Sequence, residues 1–228
     1  RGVRLLLIRH AQTTSNVQGL LDSRVPGADL TALGREQAAA VPAGLAARPV
    51  SSITVSNMVR TSQTAQPLAA HHGLTPRIDP GLREIEAGDL EMASGLPAVR
   101  RYLDVAWAWS RGDLTPRMAG AQDGHEFFDR FDTAIDAAVA HGGEHPVVVS
   151  HGASIRVWVG HRCGNVSDSF AADSELHNTG SALIERVGDR EWALLEWNAM
   201  PLGGAALHAK SGPDDVDPTG AITEDDVH

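Results

Sequence analysis

Apolar residues come in short runs along this chain, each followed by polar or small residues. Val3–Ile8 is a brief, almost continuous apolar run, which reads as a strand buried on both faces. After a polar loop, LTALGREQAAAVPAGLAAR (30–48) reads as a helix begun near Thr31. The threonine hydroxyl can accept one of the orphan backbone N–H groups there. Pro42 is expected to kink or shift that helix. SSITVS (51–56) predicts a second strand, and NMVRTSQTAQPLAAHHG (57–73) a helix closed by Gly73. A short extended piece around Arg77–Ile78 leads into LREIEAGDLEM (82–92), which reads as a loop. Residues 97–111 and 123–141 read as helices. In the second, Phe127, Phe128, Phe131, Ile135 and Val139 recur at helical spacing. PVVVSHG (146–152) predicts a third strand and ASIRVWVGHRCG (153–164) a helix. SALIERV (181–187) and WALLEW (192–197) predict a hairpin across a Gly-Asp turn.

That order predicts an α/β fold of three layers, αβα. Its central sheet is expected to be mostly parallel, with an antiparallel edge strand. Residues 1–208 are expected to form one domain. Residues 209–228 carry Gly, Pro, Thr, Asp and Glu with little that is apolar, and are expected to form an acidic, loosely draped tail.

Composition narrows the partners. Over 228 residues, 19 Lys and Arg face 29 Asp and Glu, a formal net charge of −10. Nucleic acid and anionic membranes need basic surfaces, so neither is expected as a partner. A small anionic substrate needs a local basic pocket. The single cysteine, Cys163, allows neither an intramolecular disulfide nor a CxxC motif. No apolar run approaches the roughly 20 residues of a membrane span. A cytoplasmic location is expected, and a homodimer is left open.

Two strands end alike. The first runs into Arg9 and His10, the third into His151 and Gly152. In an open parallel sheet, ligands bind beyond the carboxyl ends of the strands. If the two strands are neighbours, both histidines face one crevice. Arg60 falls early in the helix after the second strand, and a helix N-terminus favours anions. Two histidines, two arginines and a helix end suit an oxyanion such as phosphate.

LIRHAQTTSN (7–16) resembles the signature of the histidine phosphatase superfamily, the phosphoglycerate-mutase-like proteins. Arg9, His10, Gln12 and Asn16 match, and Ala11 stands where glycine is usual. The resemblance continues through LTALGREQA, SNMVRTSQTA, LREIEAGDLE, VVVSHGASIR and HNTGSALIE, and covers roughly residues 4–198. It implies that His10 is the nucleophile, and that Arg9, Arg60 and His151 complete the phosphate site. It implies a side-chain donor at Asn16, a small residue near the phosphate at Ser23, and backbone donors after His151, at Gly152 and Ala153. It implies that Glu84 is the general acid of branch 1. Glu86, Asp89 and Glu91 are rivals by composition. Met92 stands where the acid loop usually has glycine.

The expected reaction is phosphomonoester hydrolysis through phosphohistidine, with no metal and no cofactor, on a small phosphorylated metabolite. Arg9, Arg60 and a protonated His151 would neutralise the phosphoryl oxygens. His10 would attack while neutral, its other nitrogen donating to a backbone carbonyl, with its pKa lowered by the arginines. The stretch from Glu84 to His151 is short beside that of the mutases. This predicts an open pocket, and hence water rather than a sugar acid as acceptor. Phosphoryl transfer of the mutase type is the alternative, followed by a phosphoryl-binding module without catalysis. Trp107, Trp109, Arg100, Arg101 and residues 112–126 are expected to line or cover the pocket.

Overall fold

A computed structural model of the chain describes residues 2–209 and 217–228. Its centre is a six-stranded sheet. The strands are β1 (Arg4–Arg9), β2 (Ser52–Val55), β3 (Arg77–Ile78), β4 (Pro146–Ser150), β5 (Ser181–Gly188) and β6 (Glu191–Asn198), in spatial order β3-β2-β4-β1-β5-β6. β1, β4, β2 and β3 pair in parallel; β5 runs antiparallel to both β1 and β6, so the predicted hairpin closes one side of the sheet.

Both faces of the sheet are covered, which explains why β1 shows no polar alternation. Leu6 and Ile8 join Ile53, Val55, Val147 and Val149 on one face, under Val41, Leu45, Ala65 and Leu68. The last four come from α2 (Ala32–Gly44), the turn after it, and α3 (Val59–His72). Leu5 and Leu7 point the other way, with Val148, Ala182 and Ile184. Above them lie α4 (Leu96–Ser110), α5 (Gly124–His141) and α6 (Gly152–Arg162). Phe127, Phe128, Phe131 and Ile135 form the buried stripe of α5.

Local signals set the helix ends. The Thr31 hydroxyl accepts from the N–H of Gly34, and Gly73 closes α3 at φ 64°, a left-handed conformation open to a residue without Cβ. Pro42 lies inside α2, where it leaves the Ala38 carbonyl without its helical donor, and α2 ends two residues later at Gly44 instead of running to 48. A proline has no N–H to continue the ladder. Short helices missed by periodicity are α1 (Thr14–Gln18), α7 (Phe170–Asp173) and α8 (Glu224–Val227). Among the described residues no helix is long and apolar enough to cross a membrane.

Two expectations need correction. Trp107 and Trp109 do not face a pocket; both are buried in the core, and Trp109 donates to the carbonyl of Pro116 at 2.7 Å. The tail is not loosely draped where it is described. Residues 210–216 lie outside the described residues, but Ile222 and Val227 are buried in the main core. Those two apolar side chains, and buried Arg156, which donates to the segment's carbonyls, outweigh its polar composition.

Candidate active site

Strand register brings the polar ends together. Arg9 lies level with Ser150 across β1–β4, and Val55 with Val149 across β2–β4. The next residues, His10, His151 and Ser56, therefore leave the sheet side by side. β1 leads toward α2 on one face, while β4 leads directly into α6 on the other. A crevice between strands whose connections diverge is the usual ligand position in such sheets.

The His10 and His151 rings are 5.2 Å apart. Nδ1 of His10 lies 2.7 Å from the carbonyl oxygen of Ala11. That oxygen can only accept, so Nδ1 carries the proton and Nε2 is left with a free lone pair. The backbone around the nucleophile is fixed from two sides. Asn178 Nδ2 donates to the carbonyl of His10 at 3.1 Å, and Ala11 N–H donates to Thr64 Oγ1 at 2.9 Å. Burial lowers the pKa of His10 well below its ordinary value, with Arg60 and then Arg9 adding to the effect.

His151 is held differently. Its Nε2 lies 2.8 Å from Ser56 Oγ, which lies 3.1 Å from Thr61 Oγ1. The Thr61 hydroxyl donates to the Met58 carbonyl at 2.9 Å. The chain of donors closes if Nε2–H gives to Ser56, Ser56 to Thr61, and Thr61 to Met58. That leaves Nδ1 of His151 as the bare nitrogen. Burial lowers the pKa of His151 well below its ordinary value too, with Arg60, His10, Arg130 and Arg9 contributing. The free site thus disfavours a proton on His151; the protonated state expected from sequence belongs to the site with a dianion bound. Four neighbours, Arg60, His10, Arg130 and Arg9, disfavour another positive charge.

Arg60 is almost wholly buried. Its NH2 donates to the carbonyl of Asp22 at 2.7 Å, and its NH1 lies 3.6 Å from the Asp22 carboxylate. Burial lowers its pKa. Arg9 is fully buried; its NH1 and NH2 engage Asp217 at 2.6 and 2.8 Å. Four buried nitrogens here have no hydrogen-bond partner among the described residues: Arg9 Nε, Arg60 Nε and NH1, and His151 Nδ1. Such groups are costly to leave unmade, and their concentration on one spot marks a place for an acceptor-rich ligand.

Glu84 lines the same socket as His10 and Arg60, whereas Glu86, Asp89 and Glu91 do not. Glu86 pairs with Arg83 at 3.1 Å, and Glu91 accepts from Ser23 and from the N–H of Arg24. The Glu84 carboxylate caps α6. Oε1 accepts from Ile85 N–H (2.9 Å), Ser154 N–H (2.8 Å) and Ser154 Oγ (2.9 Å); among the described residues Oε2 accepts only from Ala153 N–H, at 3.2 Å. Arg130 of α5 pins the acid's backbone, donating to the carbonyls of Gly81, Arg83 and Glu84 at 2.8, 2.9 and 2.9 Å.

Other predicted residues divide. Asn16 and Ser23 line the socket. Gly152 lies against Arg9: a Cβ there would fall 2.8 Å from Arg9 Nε and from the Thr219 carbonyl, so no side chain fits without a shift. The Ala153 N–H is engaged by Glu84 rather than free for phosphate. Neither Arg100, Arg101 nor residues 112–126 line the socket; its cover is Pro218 and Thr219. Nor is the socket open. Its free volume is about 20 Å³. A larger cavity of 720 Å³ lies at the opposite end of the sheet, by Val3, Arg48 and Pro146, away from these groups.

A profile of the histidine phosphatase superfamily (branch 1) matches residues 5–200. This chain belongs to that superfamily. Glucosyl-3-phosphoglycerate phosphatase of Mycolicibacterium vanbaalenii is 30% identical over 226 residues, covering 86% of this chain and 94% of that protein. A PE-PGRS family protein of Mycobacterium tuberculosis is 35% identical over 218 residues; the match takes in 88% of this chain but only 37% of that longer protein. A solved mycobacterial glucosyl-3-phosphoglycerate phosphatase, bound to VO3, superposes with a TM-score of 0.72 at 26% identity, covering 87% of this chain and 100% of that one.

Sequence reasoning assigned no role to Ser56, Asp22, Asn178, Arg130 or Asp217. Ser56 had a signal: it follows an apolar strand as His10 and His151 do. Asp22 and Arg130 had none, because the contacts that tie them to Arg60 and to the acid loop span 38 and 46 or more residues.

Proposed function

We propose that this protein is a metal-independent phosphomonoester hydrolase working through a phosphohistidine at His10. The observation that carries this reading is the group of partnerless nitrogens on Arg9, Arg60 and His151 beside a His10 whose Nε2 lone pair is free.

A phosphomonoester dianion would place its oxygens on the Arg9 and Arg60 donors, and on His151 once Nδ1 has taken up a proton beside the bound dianion. Nε2 of His10 would bond to phosphorus as the bond to the leaving oxygen breaks. The leaving oxygen needs a proton, and Glu84 is placed to give it. Oε2 is the oxygen with room for one, since it accepts a single N–H. In the second step Glu84 would take a proton from water as the water oxygen attacks phosphorus, restoring His10 and releasing phosphate. A general acid–base group of this kind is worth ~10²–10⁴-fold.

The leaving group has a direction. A cavity of 350 Å³ lined by Ser23, Arg24, Arg83 and Glu86 shares Ser23 with the socket. Two arginines on that side suit a polar or acidic leaving group. Glucosyl-3-phosphoglycerate, named for the relatives, is the first substrate to test. Hydrolysis of an aryl phosphate and of a panel of phosphorylated metabolites, in the presence of chelator, tests the reading. Turnover that survives chelation and vanishes in His10→Ala is expected. Turnover lost to chelator, or kept by that variant, contradicts it.

A further inference from the structure

Residues 217–228 pass the socket, where Pro218 and Thr219 line it, and they divide into a working part and an anchor. In the working part, the Asp217 carboxylate receives Arg9 NH1 at 2.6 Å and NH2 at 2.8 Å, with Asn16 Nδ2 at 3.4 Å. Thr219 Oγ1 receives Arg9 NH2 at 3.3 Å, and Pro218 and Thr219 wall the socket. Gly220 follows so close to Arg9 that a Cβ would collide with the guanidinium. The anchor lies beyond. Buried Arg156, stacked 4.5 Å over Trp107, donates to the carbonyls of Thr219 and Ile222 at 3.0 and 2.9 Å. Ile222 and Val227 enter the core, and Arg111 grips the Glu224 carboxylate with both contacts under 3 Å.

We propose that residues 217–220 are an internal inhibitor of this site, with the Asp217 carboxylate standing in for substrate oxygens on Arg9 and Asn16. The inference rests on the phosphohydrolase reading and adds its regulation. Two independent observations carry it. The first is charge: a carboxylate of the chain itself occupies NH1 and NH2 of Arg9, the guanidinium whose free Nε a phosphoryl group would use. The second is space. A cavity of about 20 Å³ has room for about one water. A tetrahedral phosphoryl group cannot enter until Pro218 and Thr219 move. In the closed state Asp217 neutralises a buried guanidinium that would otherwise be costly to leave unpaired. A phosphoryl dianion offers more charge, and can also use Arg60, and His151 once Nδ1 is protonated, so it can displace the carboxylate. Apparent affinity is then the intrinsic affinity reduced by the open fraction.

Asp217→Asn keeps the shape and removes the charge. In the full-length chain, calorimetric titration with inorganic phosphate is expected to show a Kd lowered about tenfold, with KM for an aryl phosphate lowered alike and kcat unchanged. Glu224→Ala loosens only the anchor, far from Arg9, and is expected to move both constants the same way by less. Amide exchange at Ala221, whose N–H donates to the Asp217 carbonyl, is expected to speed up when phosphate binds. Weaker phosphate binding or lower kcat in Asp217→Asn would overturn the proposal and make Asp217 a positioning residue for Arg9. Unchanged constants in both variants, or slower exchange with phosphate, would overturn it too. Wild-type turnover without these changes removes only the inhibitor. No phosphate binding and no turnover in any of the proteins removes the phosphohydrolase reading and the inhibitor with it.

Discussion

Ser56 Oγ lies 2.8 Å from Nε2 of His151 and gives that ring nitrogen its hydrogen-bond partner, while Nδ1 has none among the described residues. The two residues end neighbouring strands, so the contact follows from sheet register rather than from loop conformation. Ser56→Ala removes the partner and leaves Nε2 buried and unpaired. About 1–3 kcal/mol of stability is expected to go with it. Hydrolysis of an aryl phosphate is expected to fall by about tenfold in kcat/KM, because either tautomer of His151 becomes available. Steady-state kinetics alongside thermal unfolding separate the two losses.

Glu84→Gln is expected to slow alkyl phosphates by ~10²–10⁴-fold and aryl phosphates much less. A phenolate leaves without protonation and an alkoxide does not. Comparing the two substrate classes in one assay checks the role. Equal slowing would show that Glu84 holds the α6 terminus and does not give a proton.

Stability is expected to depend on pH through the two buried histidines. Both have folded pKa values depressed below the unfolded value near 6.5. Above about pH 6.5 neither state binds the protons, and the stability contribution is complete. As pH falls below that value the unfolded chain takes up protons that the native site refuses, so stability is lost. Each group contributes a slope of about 1.4 kcal/mol per pH unit until its folded pKa is reached. Chemical denaturation between pH 7.5 and 5.5 is expected to show this decline. His151→Asn should flatten it by about half.

Arg130→Met is expected to uncouple the acid loop from α5. The guanidinium, its pKa pulled down to about 10 by burial and by Arg83, serves three carbonyls between residues 81 and 84. Losing hydrogen bonds to a charged donor costs roughly 1.5–3 kcal/mol each, with partial overlap. In a chain of this size each kcal/mol lowers Tm by about 2–4 °C. A fall in Tm of about 6–12 °C should accompany a loss of kcat larger than any change in KM.

The strands and long helices were legible because burial on two faces leaves continuous apolar runs, as in Leu5–Ile8, and burial on one leaves a stripe, as in Phe127–Ile135. The residues His10, Arg60, Glu84 and His151 were legible as motifs, and register then accounts for their convergence. What escaped depends on distant contacts. Nothing in the acidic sequence after residue 209 announces that Asp217 meets Arg9 across 208 positions. Two apolar residues, Ile222 and Val227, are too few to make a periodic signal, yet they dock the segment. The short span from Glu84 to His151 suggested an open pocket, but the cover comes from outside that span. Trp107 and Trp109 are large and amphipathic, and composition alone could not tell a core position from a pocket wall.

The central claim is that Nε2 of His10 takes the phosphoryl group. Rapid quenching during turnover of an aryl phosphate, followed by peptide mass spectrometry under alkaline conditions, tests it directly. A phosphoryl adduct on the peptide containing His10, formed and consumed at the rate of turnover and absent in His10→Ala, is the predicted result. Turnover with no adduct at that histidine, or an adduct on another residue, would contradict it.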